Sequence, residues 1–392
     1  MTVTGRSDGA PGHSPAGSRG GEGAEVRAAR GAAAPERRLL VSAPAKVNLS
    51  LLVGPPGEDG YHQLGTVFVP LDLADELEMA LTARPRHEAP ETAEPLTVVC
   101  AGVSQDENLV TRALLAVENA TRWIFSGHVT VHKNIPTGAG LGGGSSDGAA
   151  ALRAGAEMVA EAGGPRLTPS QLHGLARGLG ADVPFFLDPM PALARGVGDL
   201  LEPLELPPLP LVLLLPESPL STADVYRAFD GLAAGPEPAA TSTSAAAAPV
   251  ASSDLAAGSG SAATPEPAAV PGPADTFEER FLAAERGWRG LSSAWSSGAC
   301  GVEGVVLEAA RLFHNDLEEA SLQLQPGLAS TRTALDAEDV SGTLMSGSGP
   351  TLFGLCASSA VAQAVAQRLC ARGYDARAVV TGGAPAPRGP LP

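Results

Sequence analysis

The chain has 392 residues, 44% of them hydrophobic, enough for one large or two medium domains with real cores. Its formal net charge of −17 argues against nucleic acid as a partner, because binding a phosphate backbone needs a basic face, and its apolar runs are too short to cross a bilayer. Glycine (47) and proline (35) exceed average usage, which points to unstructured stretches beside the globular part.

In chain order, residues 1–37 lack apolar periodicity and the hydrophobic stretch of a secretory signal, and read as a disordered tail. Alternation over 39–53 predicts a strand ending at the turn run Gly54-Pro55-Pro56-Gly57, and 66–71 and 76–81 predict two more strands. Helical spacing of Leu109, Ala113, Leu114 and Val117 predicts a helix over 108–123, followed by a strand at 128–132. A glycine-rich segment comes next, then helices over 146–162 and 169–179, the second with Thr168 as N-cap. The apolar run 209–215 reads as a buried strand that opens a second domain. Between 231 and 273 there is no aromatic and no basic residue, so this stretch cannot bury enough apolar surface to offset its ordering entropy. Order returns near Thr276, with a helix at 305–313, strands at 342–346 and 351–356, a helix at 360–372 and a last strand at 376–380. The second half is expected to be α+β of ferredoxin-like type. The division expected is 38–205 for the first domain and 206–384 for the second, with a disordered insert at about 231–275 and a disordered tail at 385–392.

Four cysteines lie scattered without CxxC spacing, so neither a zinc site nor a disulfide framework is expected, and a reducing cytoplasm fits. The sequence does not separate a monomer from a homodimer. Of its 26 basic residues only Lys46 and Lys133 are lysine. A chain that uses arginine for ordinary positive charge and keeps lysine twice draws attention to those positions, where a compact ammonium on a flexible stem differs from a planar guanidinium.

Pro136-Thr137-Gly138-Ala139-Gly140-Leu141-Gly142-Gly143-Gly144-Ser145-Ser146 places five glycines in seven residues between a strand and an alanine-rich helix. Glycines let the backbone approach a ligand and turn successive N–H groups inward, and the following helix adds its positive end, so polyphosphate is the natural occupant. The segment lacks the Lys-Ser/Thr ending of a Walker A loop. It matches G-x-G-x-x-G literally, but Glu161, at roughly the required distance, lies in the stretch 153–161, which reads as helix with no strand near, and this excludes a dinucleotide fold.

This segment resembles the phosphate loop of the GHMP small-molecule kinases. Ser42-Ala43-Pro44-Ala45-Lys46-Val47-Asn48-Leu49 is similar to the first motif of that family, and Met345-Ser346-Gly347-Ser348-Gly349-Pro350-Thr351 to the third. Gly60-Tyr61-His62 and Gly180-Ala181-Asp182-Val183-Pro184 are similar to the branch whose acceptor is a cytidylated methylerythritol, as are Gly196-Val197-Gly198-Asp199 and Asn315-Asp316-Leu317-Glu318. Gly148, where the family usually has alanine, and the long insert depart from the pattern. The resemblance implies a two-domain α+β fold, ATP as phosphoryl donor on 136–146, and transfer to a hydroxyl of a small molecule.

It also implies roles. Asp182 would accept the acceptor's proton, with Lys46 beside it holding the carboxylate ionised and stabilising transition-state charge. By residue type alone Asp182 also suits a turn or N-cap, and Lys46 a surface position. Asn48, two residues along the strand from Lys46, would bind the acceptor hydroxyl. Tyr61 and His62 would recognise the cytosine by stacking and hydrogen bonding, Tyr226 would close its other face, and Thr222 would touch the substrate diphosphate. A core position is the other reading of Tyr226. Ser145 and Ser146 suit phosphate or Mg²⁺, with Ser146 as metal ligand, and equally suit helix capping. Lys133 suits either the nucleotide phosphates or solvent. His314 is expected to be structural.

Overall fold

The computed structural model describes residues 36–382 except 59, 89–93, 217 and 234–275. The expected tails and nearly all of the expected insert lie outside the described residues, although 231–233 complete a helix. The architecture is α+β, built on two sheets.

The first sheet is dominated by two long antiparallel strands, β1 (Arg37–Pro56) and β2 (His62–Pro85). The segments 66–71 and 76–81 are therefore one strand rather than two, because the chain stays extended through Asp72 and Leu73 and pairing with β1 resumes at Ala74 across the register shift at Pro44/Lys46. β3 (Leu96–Cys100) and β4 (Trp123–His132) extend the sheet in the order β3-β4-β2-β1. A hairpin of β5 (Ala192–Arg195) and β6 (Leu200–Pro203), turned by Gly196-Val197-Gly198-Asp199, pairs with β2. The two-residue β8 (His314–Asn315) pairs parallel to β1.

Helices α1 (Leu109–Thr121), α2 (Gly143–Glu161) and α3 (Pro169–Leu179) cover one face of this sheet. Asn108 caps α1 by accepting from the Val110 N–H, and Thr168 and Gln171 form the capping box of α3. Residues Leu77, Met79, Leu81, Val110, Leu114, Leu152, Phe185 and Phe186 are fully or almost fully buried between them. Each such side chain contributes about 1.5–3 kcal/mol of transfer free energy.

The second sheet runs β11-β7-β10-β9, with β7 (Pro210–Leu215), β9 (Gly342–Met345), β10 (Leu352–Leu355) and β11 (Asp375–Val380) all antiparallel to their neighbours. Numbered along the chain, these strands lie side by side in the order 4-1-3-2, the ferredoxin-like arrangement that their alternation with helices predicts. All of β7 is buried, and it splits its side chains by strand parity. Leu211, Leu213 and Leu215 join a core with β1, α5 (Phe277–Ser296) and α6 (Val302–Arg311), while Val212 and Leu214 join another with α9 (Ser359–Ala371). Among the described residues, α4 (Thr222–Ala233), α7 (Glu318–Leu324) and α8 (Gly327–Asp336) complete the helices. No helix among the described residues is long and apolar enough to cross a membrane.

Candidate active site

The β1 strand carries Lys46 and Asn48 between two register shifts, at Pro44/Lys46 and Asn48/Ser50. These irregularities free the Lys46 N–H from the ladder to donate to the Leu141 carbonyl of the glycine segment at 2.9 Å. Lys46 Nζ donates to Asn48 Oδ1 at 2.7 Å and to the Gly140 carbonyl at 3.3 Å, and lies 5.2 Å from the centre of the Phe68 ring. Asn48 Nδ2 donates to Thr66 Oγ1 at 2.8 Å, and that hydroxyl donates to the Ser50 carbonyl at 2.6 Å. This relay fixes which way the Asn48 amide points and leaves Oδ1 toward the lysine.

Asp182 follows α3 and precedes a single 3-10 turn over Phe185–Leu187. The apolar run Val183-Pro184-Phe185-Phe186 after it forms no strand. Pro184 instead takes helical dihedrals and has no N–H to give a ladder, so the segment turns and buries both phenylalanines. Asp182 Oδ2 stands 3.7 Å from Lys46 Nζ, an ion pair longer than a hydrogen bond; the lysine side chain is 5% exposed and the carboxylate 34%. Burial pulls the Lys46 pKa below the ordinary lysine value, with Asp182 opposing.

The glycine segment needs its glycines. Gly138, Gly140 and Gly142 have φ of 70°, 76° and 71°, the left-handed region. A Cβ on Gly140 would lie 2.4 Å from the Ser346 carbonyl oxygen, so the third motif packs directly on the crest of the loop. Ser346 Oγ donates to the Gly140 carbonyl at 3.0 Å, and Gly347 lies against both Lys46 Nζ and Asn48 Oδ1. Asn315, from the Asn-Asp-Leu-Glu motif, braces this hairpin by donating to the Met345 and Gly347 carbonyls, each at 2.8 Å.

Helix α2 starts at Gly143, three residues earlier than its periodicity suggests, with Gly142 as a cap that has no side-chain bond. Ser145 and Ser146 therefore lie inside the first turn rather than capping it. The opening N–H groups of a helix have no intrahelical acceptor and form an anion site with its dipole. Ser146 Oγ is buried without a hydrogen-bond partner, as is Oδ1 of Asp147.

Lys133 is partly buried beside the start of α2. Its ammonium pairs with Asp75 Oδ2 at 2.5 Å and Asp147 Oδ2 at 2.8 Å. Burial works against that ammonium, but the two aspartates outweigh it and hold its pKa above the ordinary value. Burial pushes the Asp147 carboxyl up to about 7, with Lys133 opposing and Asp75 adding.

His62 and Tyr226 form a second group. His62 Nδ1 lies 2.8 Å from the Gly54 carbonyl, which can only accept, so that nitrogen carries a proton. The other face of the site is closed by α4. The His62 and Tyr226 rings are 5.1 Å apart at 35°, and His62 Nε2 is 3.4 Å from Asp230 Oδ1. Burial raises the Tyr226 hydroxyl pKa, and the Asp182 charge raises it further, which places this group beside the catalytic candidates. Tyr61 is 65% exposed. The Thr222 and Ser348 hydroxyls are 2.9 Å apart, joining α4 to the third motif. His314 lies in a cluster with Arg280 and Asp316 at the β1 edge.

Sequence reasoning missed Asp75, Asp230 and Thr66. Asp75 had no distinguishing signal, since Asp72, Glu76 and Glu78 flank it, and Asp230 and Thr66 are brought to the site only by tertiary pairing.

Comparison with known proteins agrees with this geometry. Residues 108–188 match the GHMP kinases N terminal domain and residues 303–375 the GHMP kinases C terminal domain. A 4-diphosphocytidyl-2-C-methyl-D-erythritol kinase of Anaeromyxobacter sp. is 42% identical over 49% of this chain, and that matched stretch spans 59% of the relative's length. One from Deinococcus radiodurans is 34% identical over 84% of this chain and 88% of its own. A solved 4-(cytidine 5'-diphospho)-2C-methyl-D-erythritol kinase superposes with a TM-score of 0.58 at 33% identity, covering 88% of this chain and 100% of that one. Homoserine kinase from Cytophaga hutchinsonii, at 17% identity over 88% of this chain and 94% of its own and a TM-score of 0.53, shares the fold. The chain therefore belongs to the 4-diphosphocytidyl-2-C-methyl-D-erythritol kinase family, with the two-domain α+β fold of the GHMP kinases.

Proposed function

We propose that this chain transfers the γ-phosphoryl group of ATP to the 2-hydroxyl of 4-diphosphocytidyl-2-C-methyl-D-erythritol, giving the 2-phosphate on the non-mevalonate route to isopentenyl diphosphate. The observation that carries it is the meeting of Lys46 and Asp182 at Gly140, the crest of the phosphate loop.

In this reading the loop Pro136-Thr137-Gly138-Ala139-Gly140-Leu141-Gly142-Gly143-Gly144-Ser145-Ser146 holds the triphosphate. Asp182 orients the acceptor hydroxyl and takes its proton as the oxygen attacks in line. Lys46 keeps that carboxylate ionised and stabilises charge on the transferring group, and Asn48 holds the lysine while offering a contact to the acceptor. Tyr61, His62 and Tyr226 hold the cytosine, and Thr222 the diphosphate. Mg²⁺ would be held mainly by the phosphates of ATP. The buried, unpartnered Ser146 Oγ would be its protein ligand. When bound, that ion neutralises phosphate charge. A cytoplasmic setting suits a chain whose four cysteines lack the spacing of a disulfide framework, a small molecule rather than nucleic acid is the partner, and the chain acts as monomer or homodimer. The domain division at 205/206 belongs to the same reading.

Homoserine and mevalonate carry no base, so the His62–Tyr226 group favours the cytidylated acceptor over them. A phosphotransfer assay with ATP and Mg²⁺ tests this: transfer to the cytidylated methylerythritol is expected, with little or none to mevalonate or homoserine. Transfer to either control at an equal kcat/KM would overturn the substrate assignment.

A further inference from the structure

The loop is held at its crest by the third motif and by the Lys46 N–H. Its neck is held differently. Asp75, fully buried on β2, accepts the Asn134 and Ile135 N–H groups on Oδ1 at 2.6 and 2.8 Å. Those residues are the last before the loop. Its other oxygen takes Lys133 Nζ, and the same ammonium reaches Asp147 Oδ2, one residue beyond the loop on α2. Gly143, the first residue of α2, is so close that a Cβ there would lie 3.0 Å from Ile135 and 3.3 Å from Lys133 Nζ. One carboxylate–ammonium–carboxylate bridge thus ties the strand entering the loop to the helix leaving it.

We propose that Asp75, Lys133 and Asp147 are positioning residues that fix the separation of the two ends of the phosphate loop, and that Lys133 serves nucleotide binding through this bridge rather than by touching the phosphates. The proposal rests on the reading of the loop as the ATP site. Lysine suits the task because a compact ammonium can sit between two carboxylates in a tight neck, where a planar guanidinium would need a fork on each side. That accounts for one of two lysines in a chain that otherwise uses arginine. Two of the three N–H groups of the ammonium are spent on carboxylates and its charge is already matched there, so at most one donor is left for a phosphate.

Asp147→Ala separates this role from direct phosphate contact, because the two predict opposite signs. If Lys133 bound phosphate itself, losing Asp147 would release the ammonium toward ATP and leave KM for ATP unchanged or lower. A bridge predicts KM for ATP raised about 10-fold or more, KM for the acceptor changed less than about threefold, and near-normal values restored by Asp147→Asn, which can still accept from Lys133. Lys133→Met should reproduce the Asp147→Ala pattern, and the thermal midpoint of each variant shows that it is folded. Unchanged KM for ATP in folded Asp147→Ala would overturn the bridge, as would equal rises in both KM values. If the wild-type chain failed to bind ATP in a direct titration, the loop assignment would fall and the bridge with it; ATP binding that is insensitive to Asp147→Ala would remove the bridge alone.

Discussion

Lys46 is nearly excluded from water, and its charge is held against desolvation by a single carboxylate at 3.7 Å. Its pKa is therefore lowered, so as pH rises the ammonium is lost earlier than that of an ordinary lysine. If the charged form is what stabilises the transition state, kcat falls on the alkaline side at a pH below the ordinary lysine range. Lys46→Arg, slower because a guanidinium does not fit the Asn48 and Gly140 acceptors, should lose that alkaline limb. A kcat that stays level through pH 10 in the wild type would contradict this role. The same residue shows what was legible at this scale. Its identity stood out because lysine is rare here, and its alternation with apolar neighbours placed it on a strand. Asn48 was legible as its neighbour two residues along the strand and Asp182 through the resemblance, whereas the Gly140 carbonyl meets it through a loop far away in sequence. Asp230 beside His62 is invisible for the same reason.

At the scale of elements, the long regular helices and the glycine loop follow from local rules, and α3 with its Thr168 cap runs over the predicted residues. Local rules fail where the chain obeys its partners. Periodicity placed the start of α2 at Ser146, because glycines have poor helix propensity, yet Gly143 and Gly144 are helical since the loop delivers them there. The short strands β3, β5, β6 and β8 exist by pairing and not by pattern. Gly140→Ala tests the loop: it adds a Cβ 2.4 Å from a carbonyl oxygen at φ 76°, where a side chain alone costs about 1–2 kcal/mol. ATP affinity should drop by at least about 10-fold in an equilibrium titration, whereas Gly144→Ala, with open space around it, should change it less than about threefold. Asp316 ties β1 to α5: it accepts the Val53 N–H at 2.8 Å and pairs with Arg280 and His314. Burial works against its charge, but His314, the Val53 N–H and Arg280 outweigh it and lower its pKa. A lowered carboxylate pKa contributes stability that is full above the unfolded value, near 3.9, and is lost as pH falls through the folded one. Asp316→Asn should therefore cost about 3 kcal/mol at pH 7 by chemical denaturation, with the gap closing only below about pH 4. A gap that is constant down to pH 2 would show that the charge is not what Asp316 contributes.

Across the whole molecule, the site exists because two sheets share one core. Val47 and Leu49 of β1 pack in the same cluster as Leu211, Leu213 and Phe353 of the second sheet, and this brings Ser346 and Gly347 onto the loop. The sequence order of strands and helices foretold the ferredoxin-like arrangement, and three motifs foretold the family. Neither foretold that Asn315 would brace the third motif, since its β8 has only two residues and no pattern of its own. The account stands on Asp182 acting on the acceptor beside Lys46 and the loop. Its most direct test is the steady-state rate of phosphoryl transfer from ATP to the cytidylated methylerythritol by wild type and Asp182→Asn. The account predicts a kcat lower by about 10²–10⁴-fold in the variant with KM for ATP within about threefold. Transfer by Asp182→Asn at the wild-type rate would contradict it.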